Sequence, residues 1–144
     1  MAASPDYLVV YGTLRPGFSN EYAQFLRQYS RYVGECSFPG LLYDLGNYPG
    51  AVYQKESAMC VLGSLYDISL NQQRILNRLD EYEGIDPGAE QPAEYYRTVI
   101  PVLCTGETLD CWVYLCNLST TGKRLITSGD YLQYLMTNGN YRAN

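Results

Sequence analysis

The chain has 144 residues, of which 47% are hydrophobic and 17% charged, and its net charge is −5. That length fits one domain, 1–144, able to bury a core without disulfide or metal staples, and that balance excludes disorder. The acidic charge, with no run of Lys or Arg, excludes the electrostatic footprint of a nucleic-acid binder, and no apolar stretch approaches the ~18 residues of a membrane span. Met1–Asp6 has neither the basic nor the apolar part of a secretion signal, so a cytoplasmic protein is expected. Tyrosine occurs 16 times and histidine not at all. Without histidine, Ser-His and Cys-His nucleophiles and His-ligated metals are ruled out. Proton transfer near neutral pH then falls to a shifted carboxylate, Lys, Cys or Tyr.

Tyr7–Gly12 (YLVVYG) reads as a buried strand. It gives way to a turn-rich stretch, Gly12–Gly17. Ser19 or Asn20 can cap a helix over Glu21–Tyr29, where Tyr22, Phe25, Leu26 and Tyr29 share one face. Tyr32–Cys36, Leu41–Leu45 and Ala51–Tyr53 read as short strands separated by Pro-Gly and Gly-Asn turns. Met59–Ile68 is a further strand, in which Gly63 signals a bulge or a close backbone approach. Ser69 or Asn71 caps a second helix, about Leu70–Tyr82. Its buried stripe is Ile75, Leu76, Leu79 and Tyr82, with Arg74, Arg78 and Asp80 toward water, and Gly84 sits where a helix C-cap favours glycine. Ile85–Glu94 is an acidic, proline-rich loop, readable as a lid or as a plain surface connection. Tyr95–Leu103 and Leu109–Asn117 form a hairpin around Thr105–Glu107. A short helix over Tyr131–Met136 precedes a polar end, 138–144, expected to fray.

Cys36, Cys60, Cys104, Cys111 and Cys116 follow no CxxC spacing, which speaks against zinc or a redox pair. Cys111 and Cys116 fall on opposite faces of one strand. All five are expected to be small buried hydrophobes in a reducing cell. Six or seven short strands with two main helices and no regular βαβ alternation predict an α+β fold. Its sheet is mixed, antiparallel-rich, and curled or barrel-like, with helices packed on it and a core over about 7–136.

Two segments could carry chemistry. Gly12 in Tyr11-Gly12-Thr13-Leu14-Arg15 allows a turn whose amides make an anion cradle, although structural turns of this kind are common. Glu83 ends the second helix. There the helix dipole, the like charges of Asp80 and Glu81, and burial would raise its pKa. A solvated acid at a helix end is the ordinary alternative.

Taken together, VVYGTLR (Val9–Arg15), LDEYEG (Leu79–Gly84), YYRTVIPV (Tyr95–Val102) and WVYL (Trp112–Leu115) resemble the γ-glutamylcyclotransferase-like family. This family includes the γ-glutamylamine cyclotransferases and the plant avirulence-induced proteins. The resemblance implies a small mixed fold with a central cavity. It further implies substrate binding through the backbone of Tyr11, Gly12, Thr13 and Leu14, and Glu83 as the catalytic acid. Arg15, Tyr95, Arg97 and Tyr114 are assigned to the cavity. Some members carry a substrate-binding tyrosine ahead of a late glycine motif, and the matching stretch here, Thr120–Gly129, has none. That departure puts glutathione-type and plain γ-glutamyl dipeptide substrates in doubt.

These residues permit a γ-glutamyl compound to close on itself. Its α-amine attacks the γ-carbonyl, 5-oxoproline forms, and the second amine leaves, with Glu83 moving one proton. No metal or organic cofactor is expected, and the partner is a small γ-glutamyl substrate, with no nucleic acid and no membrane. The raised carboxylate predicts a rate limb between about pH 5 and 7. The alternatives are a non-catalytic small-metabolite binding protein on the same fold, an interaction protein using Ile85–Glu94, and an enzyme of the same mechanism acting on another γ-glutamyl-tagged amine, such as a biosynthetic intermediate.

Overall fold

The computed structural model describes residues 5–85 and 93–137. In chain order the elements are β1 (Tyr7–Val10), α1 (Glu21–Tyr29), β2 (Arg31–Asp44), β3 (Pro49–Tyr53) and β4 (Cys60–Asp67). There follow α2 (Gln72–Tyr82), β5 (Tyr95–Cys104), β6 (Glu107–Cys116), β7 (Arg124–Leu125) and α3 (Tyr131–Thr137). Most of Ile85–Glu94, and the end at 138–144, lie outside the described residues, so the lid and fraying expectations do too.

β2, β4, β1, β6 and β5 are hydrogen-bonded in that order, and β5 meets β2 again at Ser37 and Leu103. The result is a closed five-stranded barrel, with β3 and β7 added along the far half of β2. Closure removes exposed edges from the barrel strands. Only β1 and β6 run parallel among these pairs; the rest are antiparallel, as the mixed, antiparallel-rich reading expected.

The apolar run of β1 follows from its position. Val9 points into the barrel among Phe38, Val61, Leu65 and Val102. Leu8 and Val10 point outward and pack under α1 and α2 with Leu26, Ile75 and Leu79. A strand buried on both faces has no place for the polar half of an alternating pattern.

α1 begins at Asn20, whose side chain accepts a 2.8 Å hydrogen bond from the Ala23 amide. Leu26 is its fully buried anchor, with Tyr22, Phe25 and Tyr29 partly covered. α2 starts at Gln72, later than expected, and Leu70 is exposed. Asn71 occupies the cap position but does not cap. Its amide instead donates to the Tyr29 carbonyl, tying the two helices together.

Two expectations need correction. Pro39-Gly40 does not end a strand: β2 runs through it and changes partner there, pairing with β4 up to Pro39 and with β3 from Gly40. A Cβ on Gly40 would stand 2.2 Å from the Val52 carbonyl oxygen, so this corner requires glycine. Cys60 is exposed, while the other four thiols are buried; all five are unpaired.

Gly63 makes the close approach that its place in a strand suggested. A Cβ there would lie 2.8 Å from the Val10 carbonyl oxygen and 2.9 Å from Val9. Gly63→Ala should therefore force β4 away from β1 and cost about 1–3 kcal/mol, the usual range for overpacking, measured by urea denaturation. Among the described residues no helix is long and apolar enough to cross a membrane.

Candidate active site

A cavity of about 650 Å³ opens where the end of β1, the end of α2 and the start of β3 meet. The turn after β1 forms one wall, through Gly12, Thr13 and Leu14. It is held from several sides. The Arg15 amide donates to the Gly12 carbonyl at 3.1 Å, and Asn20 Nδ2 donates to the Thr13 carbonyl at 2.8 Å. The Thr13 hydroxyl and the Tyr82 hydroxyl share a 2.5 Å hydrogen bond. Among the described residues, the Thr13 and Leu14 amides donate to no protein acceptor. Successive amides in a turn suit an anion. Gly12 is required for a contact: a Cβ there would lie 2.8 Å from Pro49 Cγ, on the opposite wall.

Glu83 lines the same cavity, as the C-cap of α2 and next to Tyr82, which bonds the turn. Gly84 follows with φ +74°, and the chain closes with Ile85 N–H to the Asp80 carbonyl (2.9 Å) and Gly84 N–H to the Glu81 carbonyl (3.2 Å). This pair of bonds is a Schellman motif, and it fixes the direction in which Glu83 leaves the helix.

Burial pushes the Glu83 carboxyl up to about 8, with the negative charges of Glu94 and then Asp80 adding to it. Glu81 plays no such part, contrary to the sequence reading; it is exposed and lies near Arg78. Other candidates for proton transfer move out of range. Burial raises Tyr11, Tyr95 and Tyr114 well above the usual phenol value, and the hydrogen bond to Glu94 takes Tyr48 up to about 12. Burial also takes Cys36 and Cys111 up to about 12. Glu83 is the group in the wall whose shift brings it toward physiological pH.

Asp80, one turn earlier, faces inward rather than toward water. It accepts from Arg97 Nε at 2.9 Å, from Arg97 Nη2 at 3.2 Å and from the Tyr114 hydroxyl at 2.7 Å. The bidentate pair ties the last turn of α2 to β5 and β6, and so positions Glu83.

Of the residues assigned to the site, Tyr11, Gly12, Thr13, Leu14, Glu83, Tyr95 and Tyr114 line this one cavity. Arg15 and Arg97 do not. Arg97 is turned to Asp80 and lies 4.7 Å over the Trp112 ring. Arg15 is 5% exposed beneath the turn and pairs with Glu35 (2.7 Å) and Asp130 (2.9 Å). A guanidinium buried so deeply needs paired carboxylates, and those are supplied from the other side of the turn. Arg15 therefore anchors the turn and borders a separate groove with Glu35 and Ser64.

Two wall residues had no signal in the sequence. Glu94 accepts from the Tyr48 hydroxyl at 2.5 and 2.7 Å, and both face the cavity. Their pairing spans 46 residues, beyond any local pattern. Among the described residues no group of three or more Cys, Asp or Glu side chains is placed to hold a metal ion.

Residues 8–133 match the family model described as gamma-glutamyl cyclotransferase, AIG2-like, and the chain belongs to that family. A protein of Vibrio cholerae provisionally named a gamma-glutamylcyclotransferase is 34% identical over 128 residues, covering 86% of this chain and 93% of that protein. One from Methanocaldococcus jannaschii, named in the same provisional way, is 27% identical over 135 residues, covering 90% and 98%. The crystal structure of YkqA from Bacillus subtilis superposes with a TM-score of 0.71 at 21% identity. It covers 96% of this chain, which spans only 44% of YkqA, and it shows the shared fold.

Proposed function

We propose that this protein is a γ-glutamyl cyclotransferase in which Glu83 is the general acid–base. The observation that carries the reading is geometric: Glu83, half-buried at the end of α2, lines one cavity together with the Gly12–Leu14 turn, and desolvation there pushes its carboxyl up to about 8. The Thr13 and Leu14 amides would hold the substrate α-carboxylate or the developing oxyanion. The α-ammonium would lie against Glu83 and yield it one proton. The freed nitrogen attacks the γ-carbonyl carbon, forming the C–N bond of the five-membered lactam. The bond to the second nitrogen breaks as Glu83 returns that proton to it; the attacking nitrogen's other surplus proton is then lost by way of Glu83, and the departing amine takes it up and leaves as an ammonium. The products are 5-oxoproline and a free amine, with no change of oxidation state. Folding the chain onto itself supplies the proximity term, which reaches ~7–11 kcal/mol in well-oriented systems. The five unpaired thiols suit a reducing compartment, and we place the activity in the cytoplasm.

The test is 5-oxoproline release by the wild-type protein from γ-glutamyl dipeptides, γ-glutamyl amines and ε-(γ-glutamyl)-lysine. Product from at least one class is expected; a folded protein that releases none from any would reject the reading.

The electrostatics add a second expected result. Glu94 is the larger of the two charge effects raising Glu83. Glu94→Gln should lower the Glu83 pKa and move the rising limb of kcat/KM to lower pH, read from initial rates between pH 5 and 9.5. An unmoved limb would mean that the group titrating is not Glu83.

A further inference from the structure

The cavity wall is one-sided in charge. Its described residues include two carboxylates, Glu83 and Glu94, and no Lys or Arg. The sequence from Asp86 to Pro92 supplies neither cation. Arg15 and Arg97, the nearby guanidinium groups, are held by carboxylates of their own.

The wall's hydroxyl donors are also taken. Tyr11 donates to the Tyr114 carbonyl at 2.5 Å, Tyr95 to the Pro49 carbonyl at 2.6 Å and Tyr114 to Asp80 at 2.7 Å. Tyr48 donates to Glu94, and Thr13 and Tyr82 share one bond between them. A carboxylate on the far end of a substrate would meet no cation and at most one spare hydroxyl hydrogen. It would also face the charge of Glu94.

An ammonium group would meet the opposite. A carboxylate has about four lone-pair sites, and the single Tyr48 hydrogen fills one of them. Glu94 thus keeps acceptor capacity toward the cavity. It is held in place at the backbone as well, where its carbonyl accepts from the Asn117 amide at 2.8 Å. Tyr48 and Tyr95 stand beside it with ring centroids 6.2 Å apart, and aromatic faces favour a cation.

We propose that Glu94, clamped by Tyr48, selects γ-glutamyl amides whose leaving amine carries a second, distal ammonium group and no carboxylate. The inference rests on the cyclotransferase reading for the placement of the γ-glutamyl end and adds the leaving-group class. Glu83 handles the α-amine, the turn amides take the α-carboxylate, and Glu94 takes the far charge.

Three probes of equal chain length isolate that charge: the γ-glutamyl amides of 1,4-diaminobutane (cationic end), butylamine (neutral end) and 4-aminobutanoate (anionic end). Their binding is measured by calorimetry at neutral pH to Glu83→Gln, in which no turnover competes. The cationic probe should bind about tenfold more tightly than the neutral one, and the anionic probe more weakly than either, with the differences narrowing as salt is added. In Glu83→Gln/Glu94→Gln the cationic and neutral probes should bind alike. Equal binding of all three, a preference that survives Glu94→Gln, tightest binding of the anionic probe, or no binding of any would each overturn the proposal. Because binding and 5-oxoproline release are read separately, a protein that sorts the probes without releasing product would reject only the catalytic reading.

Discussion

Replacing Glu83 with Gln should abolish turnover and, at the same time, make the protein more stable as the pH rises. The amide has the shape of the acid but cannot accept and return a proton, so loss of general acid–base catalysis alone predicts a fall in kcat of about 10²–10⁴. The stability effect has a definite sign. In the unfolded chain this carboxyl titrates near 4.5; in the folded protein burial and neighbouring charge raise it to about 8. The folded state therefore holds the proton more tightly. The wild type loses stability as pH rises from about 4.5 through about 8, and above that range it carries the full cost of a buried charge. Gln has no charge to bury. The two proteins should melt alike near pH 4.5, and the variant should gain steadily up to about pH 8. The ceiling of that gain is about 5 kcal/mol, at about 1.4 kcal/mol per unit of displacement. Thermal melts of both proteins from pH 4.5 to 9 measure it. A residue that was merely structural would produce the opposite, a variant less stable at every pH.

Gly12→Ala should damage the site through the turn. The added methyl would stand 2.8 Å from Pro49 Cγ and 3.0 Å from Pro49 Cδ. A proline ring has little freedom to yield, so either the turn or the start of β3 must move. Both bound the cavity. The expected result is a loss of about 1–3 kcal/mol of stability together with a fall in kcat/KM of about 10² or more, since a displacement of about 1 Å in a positioning group is enough for that. The Gly40→Ala substitution is the control: a Cβ there would press on the Val52 carbonyl, and neither residue is in the cavity wall. It should cost stability and leave kcat/KM of the folded fraction much closer to wild type. Equal kinetic damage in both variants would mean that the Gly12 effect is one of folding alone.

How much of this could be read from the residues depended on how far each interaction reaches along the chain. The turn after β1 and the acid at the end of α2 have local signatures: a strand halted by glycine, and a helix halted by Glu-Gly. The approach of Gly63 to its neighbouring strand was also local, because a glycine in an apolar strand has few other reasons to be there. Asp80 was misread because it sits at the edge of the apolar stripe, four residues after Leu76. Which way it faces is decided by Arg97 and Tyr114, on strands that follow the helix. Arg15 was misread for the same reason. Its carboxylate partners lie 20 and 115 residues away, and nothing in its neighbourhood marks it as buried. Glu94 and Tyr48 carried no signal at all. A carboxylate at the end of a loop and a tyrosine in a turn are ordinary surface residues until the fold brings them to one cavity. In the strands, Pro39-Gly40 was a real signal with the wrong meaning, marking a change of partner instead of an end.

The most direct test of the account is the dependence of kcat/KM on pH for 5-oxoproline release by the wild-type protein. The sequence alone placed the rising limb between about pH 5 and 7; the buried site, with Glu94 and Asp80 near Glu83, moves it up to about 8. With Glu83 as the base, the rate should climb about tenfold per pH unit below that point and level above it. A profile that is flat from pH 5 to 9, or a limb that persists unchanged in Glu83→Gln, would contradict it.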